Sequence, residues 1–210
     1  SFEPLATRRR ELAFLNSGIS IKLIDERLEP VKMPEYAYAG GISAFVEYMN
    51  KSKQKLNSPP IFVVGEKNGF VAEVALQWND SYVETTTSYV NNINTIEGGT
   101  HVAGFRNALT RSVNRYIADS GLSKQMKDGL TGDDIREGLA CVISVKVPEP
   151  QFEGQTKSKL GTGEVEGFVN GLVYEKLNTY FEQNPSVAKR VIQKAIDAAS
   201  ARIAARKARE

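Results

Sequence analysis

The stretch that decides the fold is LACVISVKV, residues 139–147, in which every position except Ser144 and Lys146 is apolar. A strand that faces water on one side alternates apolar and polar side chains, whereas a strand covered on both faces is apolar almost throughout. Residues 139–147 therefore predict a central strand of a sheet that is buried on both faces.

Three further strands are predicted upstream of this central strand. Residues 70–78 alternate between apolar and polar faces, and residues 61–64 form an apolar run. Asn68-Gly69 between them is a strong signal for a tight hairpin. Residues 82–90 are rich in Thr and Tyr, which is typical of a strand. We expect these three strands to form an antiparallel meander, so that the complete sheet is mixed and four-stranded.

Helical periodicity dominates the second half of the chain. The predicted helices are residues 4–16, 42–51, 100–118, 164–183 and 186 to the end, and a half-buried strand is predicted at 19–23. Strands followed by helices indicate an α+β fold with the helices on one face of the mixed sheet. At 1.5 Å per residue the long terminal helix would extend roughly 37 Å. We expect it to project beyond a domain of this size.

The composition of the 210 residues excludes several classes of function. One cysteine and one histidine cannot form an internal disulfide or a closed zinc site, and no metal site is expected. Cys141 is predicted to be a small buried hydrophobe. His101 is the only candidate base, and no G-x-S-x-G motif accompanies it, so self-contained hydrolase chemistry is disfavoured. No membrane-spanning run or secretory signal is visible, and we expect a cytoplasmic protein with no membrane partner.

The formal net charge of +2 conceals a basic carboxyl-terminal segment. Residues 185–210 carry seven basic and two acidic side chains, a net charge of +5, and the remaining residues carry −3. Arg106, Arg111 and Arg115 add cations to the predicted helix at 100–118. Such a series of cations is typical of contact with nucleic-acid phosphates. A solvated helix face has the same composition, and the residues alone leave both interpretations open.

The strongest candidate for anion binding is FEGQTKSKLG, residues 152–161, which follows the predicted central strand. Sheets of this kind tend to place ligand contacts beyond the carboxyl ends of their strands. Gln155 offers an amide, Thr156 a hydroxyl, and Lys157 and Lys159 positive charges, a set that suits phosphate oxygens. A solvated surface loop is the alternative interpretation.

A second, weaker candidate is Gly98-Gly99-Thr100 at the start of a predicted helix. Free amide groups at such a position bind anions. A turn followed by Thr100 as the helix N-cap explains the same residues and is the favoured interpretation. The chain contains no G-x-x-x-x-G-K-[ST] motif, so a P-loop is excluded.

Six blocks of sequence go beyond these general patterns. They are RRRELAFLNSGISIKLIDER, AGGISAFVEYMN, VALQWND, NNINTIEGGTHVAGFRNALTR, TGDDIREGLACVISVKVPEPQFEGQTKSKLG and ARIAARKARE. In these blocks the chain resembles the ATPase subunits of bacterial type IIA DNA topoisomerases, among which the B subunits of DNA gyrase are the most similar. The blocks follow the order of the family and cover nearly the whole chain. EGGTH and GFRNALTR together with GQTK and KLG are a highly specific combination.

The resemblance implies a division into two parts. Residues 1–27 would be the last helix and strand of a GHKL-type ATP-binding domain, and residues 28–210 would be a transducer domain similar to ribosomal protein S5 domain 2. The intact subunit would be an ATP-dependent type II DNA topoisomerase that uses ATP and Mg. The 210-residue chain alone is expected to bind neither and to have no catalytic activity. The implied partners are the GHKL domain of the same chain, a second B subunit, the gyrase A subunit and double-stranded DNA.

The resemblance also implies roles for three side chains. Gln155 and Lys157 would reach into the ATP site of the neighbouring domain, where Lys157 would contact the γ-phosphate as a catalytic group. Arg106 would face a DNA cavity enclosed by the dimer. The alternatives are the equivalent fragment of topoisomerase IV and a stand-alone nucleic-acid-binding module of the S5-like fold.

Overall fold

The computed structural model describes residues 1–122 and 130–210, and within these residues the fold is α+β. The helices are α1 (Phe2–Leu15), α2 (Gly41–Met49), α3 (Thr100–Ser120), α4 (Gly132–Arg136), α5 (Gly163–Gln183) and α6 (Pro185–Arg209). The strands are β1 (Ser20–Lys22), β2 (Glu35–Ala37), β3 (Ile61–Lys67), β4 (Phe70–Trp78), β5 (Thr85–Val90), β6 (Ile93–Asn94) and β7 (Leu139–Lys146).

The main sheet has the strand order β3-β4-β7-β5-β6, and β7 is central, as its sequence predicts. β7 pairs antiparallel with β4 and parallel with β5, so the sheet is mixed. The hairpin between β3 and β4 is confirmed: Asn68 and Gly69 both have positive φ, which the tight turn requires. Seven of the eight residues of β7 are buried, which accounts for its nearly continuous apolar sequence.

The expected antiparallel meander and four-strand count are wrong for this sheet. β5 does not pair with β4; β7 lies between them, and Cys141 is opposite Leu76 on one side and Thr86 on the other. β7 takes the inner position because it is apolar on both faces. The fifth strand, β6, is only two residues long and follows the turn at Asn91 and Asn92, where both φ angles are positive. So short a strand carries no periodic signal.

The expectation that the helices lie on one face is also wrong. α3, α5 and α6 pack on the face that carries Leu76 and Cys141. The opposite face of β4 and β7 is covered by α2 and by the end of α1, through Ile42, Phe45 and Phe14. This second layer is required because a strand with apolar residues on both faces cannot leave one of them in water.

The amino-terminal segment is joined to the rest of the fold by a small sheet and an aromatic stack. β1 pairs antiparallel with β2, with Ile21 opposite Tyr36. Phe14, at the end of α1, stacks on Tyr38 with ring centroids 3.7 Å apart and on Phe45 at 4.7 Å. At the other end of the chain, residues 204–210 are all exposed. The end of α6 therefore extends beyond the packed part of the fold, as expected.

The single histidine lies in a buried network at the start of α3. The His101 side chain is fully buried, and its Nε2 lies 3.0 Å from the Thr95 hydroxyl. The hydroxyls of Thr95 and Ser88 lie 2.7 Å apart, which ties β5 to the segment before α3. Burial lowers the pKa of His101 from 6.5 to about 4, so the ring is neutral in the folded protein at neutral pH.

Replacing Phe14 with Ala should destabilise the 210-residue chain by about 3–5 kcal/mol, because it removes a buried ring from the contact between α1 and the sheet. Leu5→Ala on the same helix is the matched control, since Leu5 is 49% exposed, and should change stability by less than about 0.5 kcal/mol. Urea unfolding followed by circular dichroism measures both. Equal effects of the two substitutions would show that α1 is not docked through Phe14.

His101 should make the chain less stable as the pH falls. The unfolded chain binds a proton to His101 below pH 6.5 and the folded protein only below about pH 4. The stability present above pH 6.5 is therefore lost across that window, by up to about 3 kcal/mol. His101→Gln should lack this component, so the difference in unfolding free energy between the two proteins should change from pH 7 to pH 4. Parallel stability curves would contradict the buried neutral ring.

Candidate functional site

Residues 151–161 form a short hairpin, here called the Lys157 hairpin, directly after β7. Its base is closed by hydrogen bonds from the Glu153 amide to the Lys159 carbonyl at 2.8 Å and from the Gly161 amide to the Gln151 carbonyl at 2.7 Å. An ion pair of 3.1 Å between Lys159 and Glu153 adds a side-chain link between its two arms. The predicted candidate loop is thus an ordered projection.

Gln155 and Lys157 lie at the tip of this hairpin, and both are exposed. Within residues 1–122 and 130–210, neither side chain forms a hydrogen bond or an ion pair. Lys159, by contrast, is neutralised by Glu153. Of the two lysines predicted to bind an anion, Lys157 is therefore the one without a partner among the described residues.

The base of the hairpin docks on the segment that precedes α3. The Glu97 amide donates to the Ser158 carbonyl at 2.9 Å, and the Ser158 hydroxyl donates to the Glu97 carboxylate. The Leu160 amide donates to the Gly98 carbonyl at 3.1 Å, and the Leu160 carbonyl accepts from the Thr100 amide at 3.1 Å. These four contacts join two segments that lie about 60 residues apart in the sequence.

This docking corrects the interpretation of Gly98-Gly99-Thr100. Gly99, rather than Thr100, is the N-cap of α3 and has no side-chain cap. The Thr100 hydroxyl donates instead to the Thr162 carbonyl at 2.8 Å. The Thr100 amide is already bonded to Leu160, so residues 98–100 hold the hairpin. The prediction of a turn is confirmed, but the prediction that Thr100 is the N-cap is wrong.

Arg106 lies on α3 within a groove of about 630 Å³ bounded by β5, the start of α3 and the Lys157 hairpin. Its Nη2 lies 2.9 Å from Oε1 of Glu84, and the Nε of Arg136 lies 3.1 Å from the same oxygen. Two guanidinium groups therefore share one carboxylate. The Arg106 side chain remains 43% exposed. Arg136 also pairs with Asp133 at 2.8 Å, so the four side chains together carry no net charge.

The other predicted cations of α3 have partners on the protein surface. Arg111 lies over the ring of Tyr174, 4.1 Å from its centroid, and donates to Asn170 at 3.0 Å. Arg115 lies 3.6 Å from Asp119. On α6, Arg202 forms a 3.0 Å ion pair with Asp134. These contacts favour the interpretation of a solvated helix face for Arg111, Arg115 and Arg202. Arg106 is the basic residue of α3 that lines the groove.

The residues considered for hydrolase or metal chemistry do not form a site. Cys141 is fully buried in β7, and burial raises the pKa of its thiol, as expected for a small hydrophobe. The buried His101 ring contacts Thr95 instead. Over the part of the chain that is described, no group of three or more His, Cys, Asp or Glu residues has a metal-binding arrangement. In the same residues, no helix has the length and apolarity needed to cross a membrane.

Glu84, Glu97 and Ser158 are site residues that the sequence patterns do not reveal. Each is a single polar residue in a polar loop or strand edge, and its partner is far away in the chain. Glu84 is 22 residues from Arg106, and Glu97 is 61 residues from Ser158. Local periodicity carries no signal for contacts of this kind.

Comparison with known proteins identifies the family. The family profile described as DNA gyrase B matches residues 41–210. The DNA gyrase B subunit of Treponema denticola is 54% identical over an alignment that covers all of this chain and 33% of the relative. The corresponding protein of Cytophaga hutchinsonii is 53% identical and is covered over 45% of its length. The chain thus spans well under two thirds of these curated relatives.

Solved structures agree with the sequence relatives. The 43K ATPase domain of Thermus thermophilus gyrase B, in complex with an aminocoumarin, superposes with a TM-score of 0.88 at 37% identity, over all of this chain and 56% of that one. The topoisomerase IV ATP-binding domain of Francisella tularensis superposes with a TM-score of 0.82 at 28% identity, over 97% of this chain and 54% of that one. Profile, sequence identity and fold agree: the chain belongs to the DNA gyrase B family.

Proposed function

We propose that the chain is the transducer segment of a gyrase B protein, which couples ATP binding and hydrolysis in an adjacent GHKL domain to DNA strand passage and negative supercoiling. The observation that carries this proposal is the Lys157 hairpin. It presents one unpaired cation and one free amide at an exposed tip, while its base is hydrogen-bonded to the start of α3. The tip is thus suited to contact a phosphate held by a neighbouring domain.

The tip residues fit the terminal phosphate of a nucleotide. The Lys157 ammonium donates up to three hydrogen bonds, and the Gln155 amide donates two. Lys157 would stabilise negative charge on the γ-phosphoryl oxygens during transfer. Mg supplies further charge neutralisation when bound, and its ligands would come from the GHKL domain, since the described residues of this chain contain no metal-binding cluster. The chain alone is proposed to be inactive.

The energy of this contact is of the size needed to shift the angle between two domains. One charge-assisted hydrogen bond contributes about 1.5–3 kcal/mol net, so two hairpins in a closed dimer contribute about 3–6 kcal/mol. Converting a two-state equilibrium from about 1:99 to about 99:1 needs about 5.5 kcal/mol of differential binding. Loss of the γ-phosphate would remove this preference, and hydrolysis would then be converted into movement.

The amino-terminal segment offers a surface for the ATP-binding domain. Leu5, Ile19 and Ile24 are 49%, 48% and 51% exposed, which leaves apolar side chains for a neighbouring domain to cover. We propose that residues 1–27 are the last helix and strand of the GHKL domain and that residues 28–210 are the S5-like transducer.

The remaining partners follow from the family. We propose that two B subunits form a dimer, that the gyrase A subunit completes the enzyme, and that the complex acts on double-stranded DNA in the cytoplasm. Arg106, which is 43% exposed, would face the DNA cavity of this dimer. Arg106 lines the groove beside the Lys157 hairpin, so the proposed DNA contact and the proposed ATP contact would lie near the same end of α3.

Topoisomerase IV is the nearest alternative, because its ATP-binding domain shares the fold. Supercoiling by the intact enzyme indicates gyrase, and decatenation without supercoiling indicates topoisomerase IV. A stand-alone nucleic-acid-binding module is a second alternative, supported by the basic segment at 185–210. It requires tight, salt-sensitive duplex binding by the isolated chain, whereas the transducer requires the dimer for its DNA cavity.

Replacing Lys157 with Ala in the full-length protein should lower the ATP turnover number about 10- to 100-fold, because it removes one charge-assisted hydrogen bond from the transition state. Lys159→Ala is the matched control in the same hairpin, since Lys159 is already paired with Glu153, and should keep turnover within about twofold. Steady-state ATP hydrolysis measures both. Unchanged turnover in the Lys157 variant would reject the proposed function.

A further inference from the structure

We propose that Glu97, Gly99 and Ser158 are positioning residues for Lys157, which hold the hairpin tip in one orientation towards the neighbouring nucleotide. This inference rests on the proposed function. None of the three would touch the nucleotide. They would act by fixing the backbone on either side of Lys157, and we call this set of contacts the hairpin clasp.

The clasp begins at the residue that follows Lys157. Both the carbonyl and the hydroxyl of Ser158 bond to a single residue, Glu97, on the segment before α3. Lys157 is therefore one peptide unit away from an anchored position. The tip itself has no such support, since Gln155 and Lys157 are exposed and unpaired within the described residues.

The hydroxyl groups on both sides of Lys157 form an ordered chain. A hydroxyl has one proton to donate, and Ser158 donates its proton to the Glu97 carboxylate. Thr156, whose hydroxyl lies 2.8 Å from that of Ser158, must therefore donate to Ser158. The chain runs from Thr156 through Ser158 to a charged acceptor, and hydrogen bonds to charged groups are the stronger ones. The residues that flank Lys157 are thus linked to each other and to Glu97.

Gly99 makes the close approach possible. Its φ is +137°, and a Cβ added there would lie 2.4 Å from the Leu160 carbonyl oxygen and 2.5 Å from the Leu160 amide nitrogen. Both are backbone atoms, and the Leu160 side chain is fully buried in the core. Because the clash is with backbone atoms, a side chain at position 99 would have to displace the hairpin backbone at Leu160, and glycine avoids this.

Glu97 and Ser158 are poor candidates for a role in stability alone. Glu97 is exposed and Ser158 is only half-buried, so removing either side chain leaves the core intact. A misplacement of about 1 Å at a reacting group lowers rates far more than it lowers stability. The side chains of Glu97 and Ser158 should therefore affect turnover rather than folding.

The test uses the full-length protein, assembled with its partner subunit and DNA. Ser158→Ala should lower kcat for ATP hydrolysis about five- to tenfold, with KM for ATP within about twofold. Ser158→Thr keeps the hydroxyl and should restore kcat to within about twofold of the unchanged protein. Gly99→Ala should lower kcat at least as much as Ser158→Ala does. The thermal unfolding midpoint of the two Ser158 variants should stay within about 2 °C.

A double-mutant cycle separates positioning from an independent effect. In a Lys157→Ala background, followed by single-turnover hydrolysis, Ser158→Ala should change the rate by less than about twofold, because the group that it positions is absent. An undiminished further loss in that background would overturn the proposal. So would a rise in KM alone, or normal kcat in both Ser158→Ala and Gly99→Ala. If Lys157→Ala itself turns over ATP normally, the proposed function fails first, and the two failures remain distinguishable.

Discussion

The parallel pairing of β5 with β7 is the constraint on which the rest of the molecule depends. Val90 lies opposite Val145 at the carboxyl ends of the two strands, so the segments that follow each strand leave the sheet at the same edge. After β5 the chain turns back through β6, which is antiparallel to β5, so that the Thr95 amide donates to the Ser88 carbonyl. The Lys157 hairpin, which follows β7, docks on residues 97–100 of this returning segment. Two segments far apart in the sequence meet because both start from the same edge of the sheet.

The sequence predicts the elements of this fold better than it predicts their partners. The central position of β7 and the turn at Asn68-Gly69 follow from local apolar pattern and turn chemistry. The neighbour of β5 cannot be predicted from such local patterns, because strand pairing is decided by which surfaces are buried together. The same reason explains α2: its apolar side is evident in the sequence, but the face of the sheet that it covers depends on long-range packing.

In the candidate site too, some residues are predictable from the sequence and others depend on distant partners. Reasoning from residue types selects the loop that contains Lys157 and Lys159 but treats the two lysines alike. The structure distinguishes them through Glu153, which neutralises Lys159. The roles assigned to Gln155, Lys157 and Arg106 come from the family resemblance, and they remain proposals for this chain. Glu84 and Glu97 could not be found from the sequence, since a single acidic residue has no pattern until its partner is known.

α3 is the element through which movement of the hairpin would spread. It is held at its start by Leu160, and it packs closely on α5, since a Cβ at Gly104 would lie 2.5 Å from the Glu166 carbonyl oxygen. From the other side, Arg8 on α1 donates to the Asn92 carbonyl at 2.7 Å, in the turn that leads to β6. Both links reach the same edge of the sheet. The Arg8 bond comes from the proposed ATP-binding domain, and the Leu160 bonds come from the hairpin that carries Lys157. Because α3 and α5 pack in close contact at Gly104, we expect a displacement at that edge to move the two helices together, and Arg106 with them.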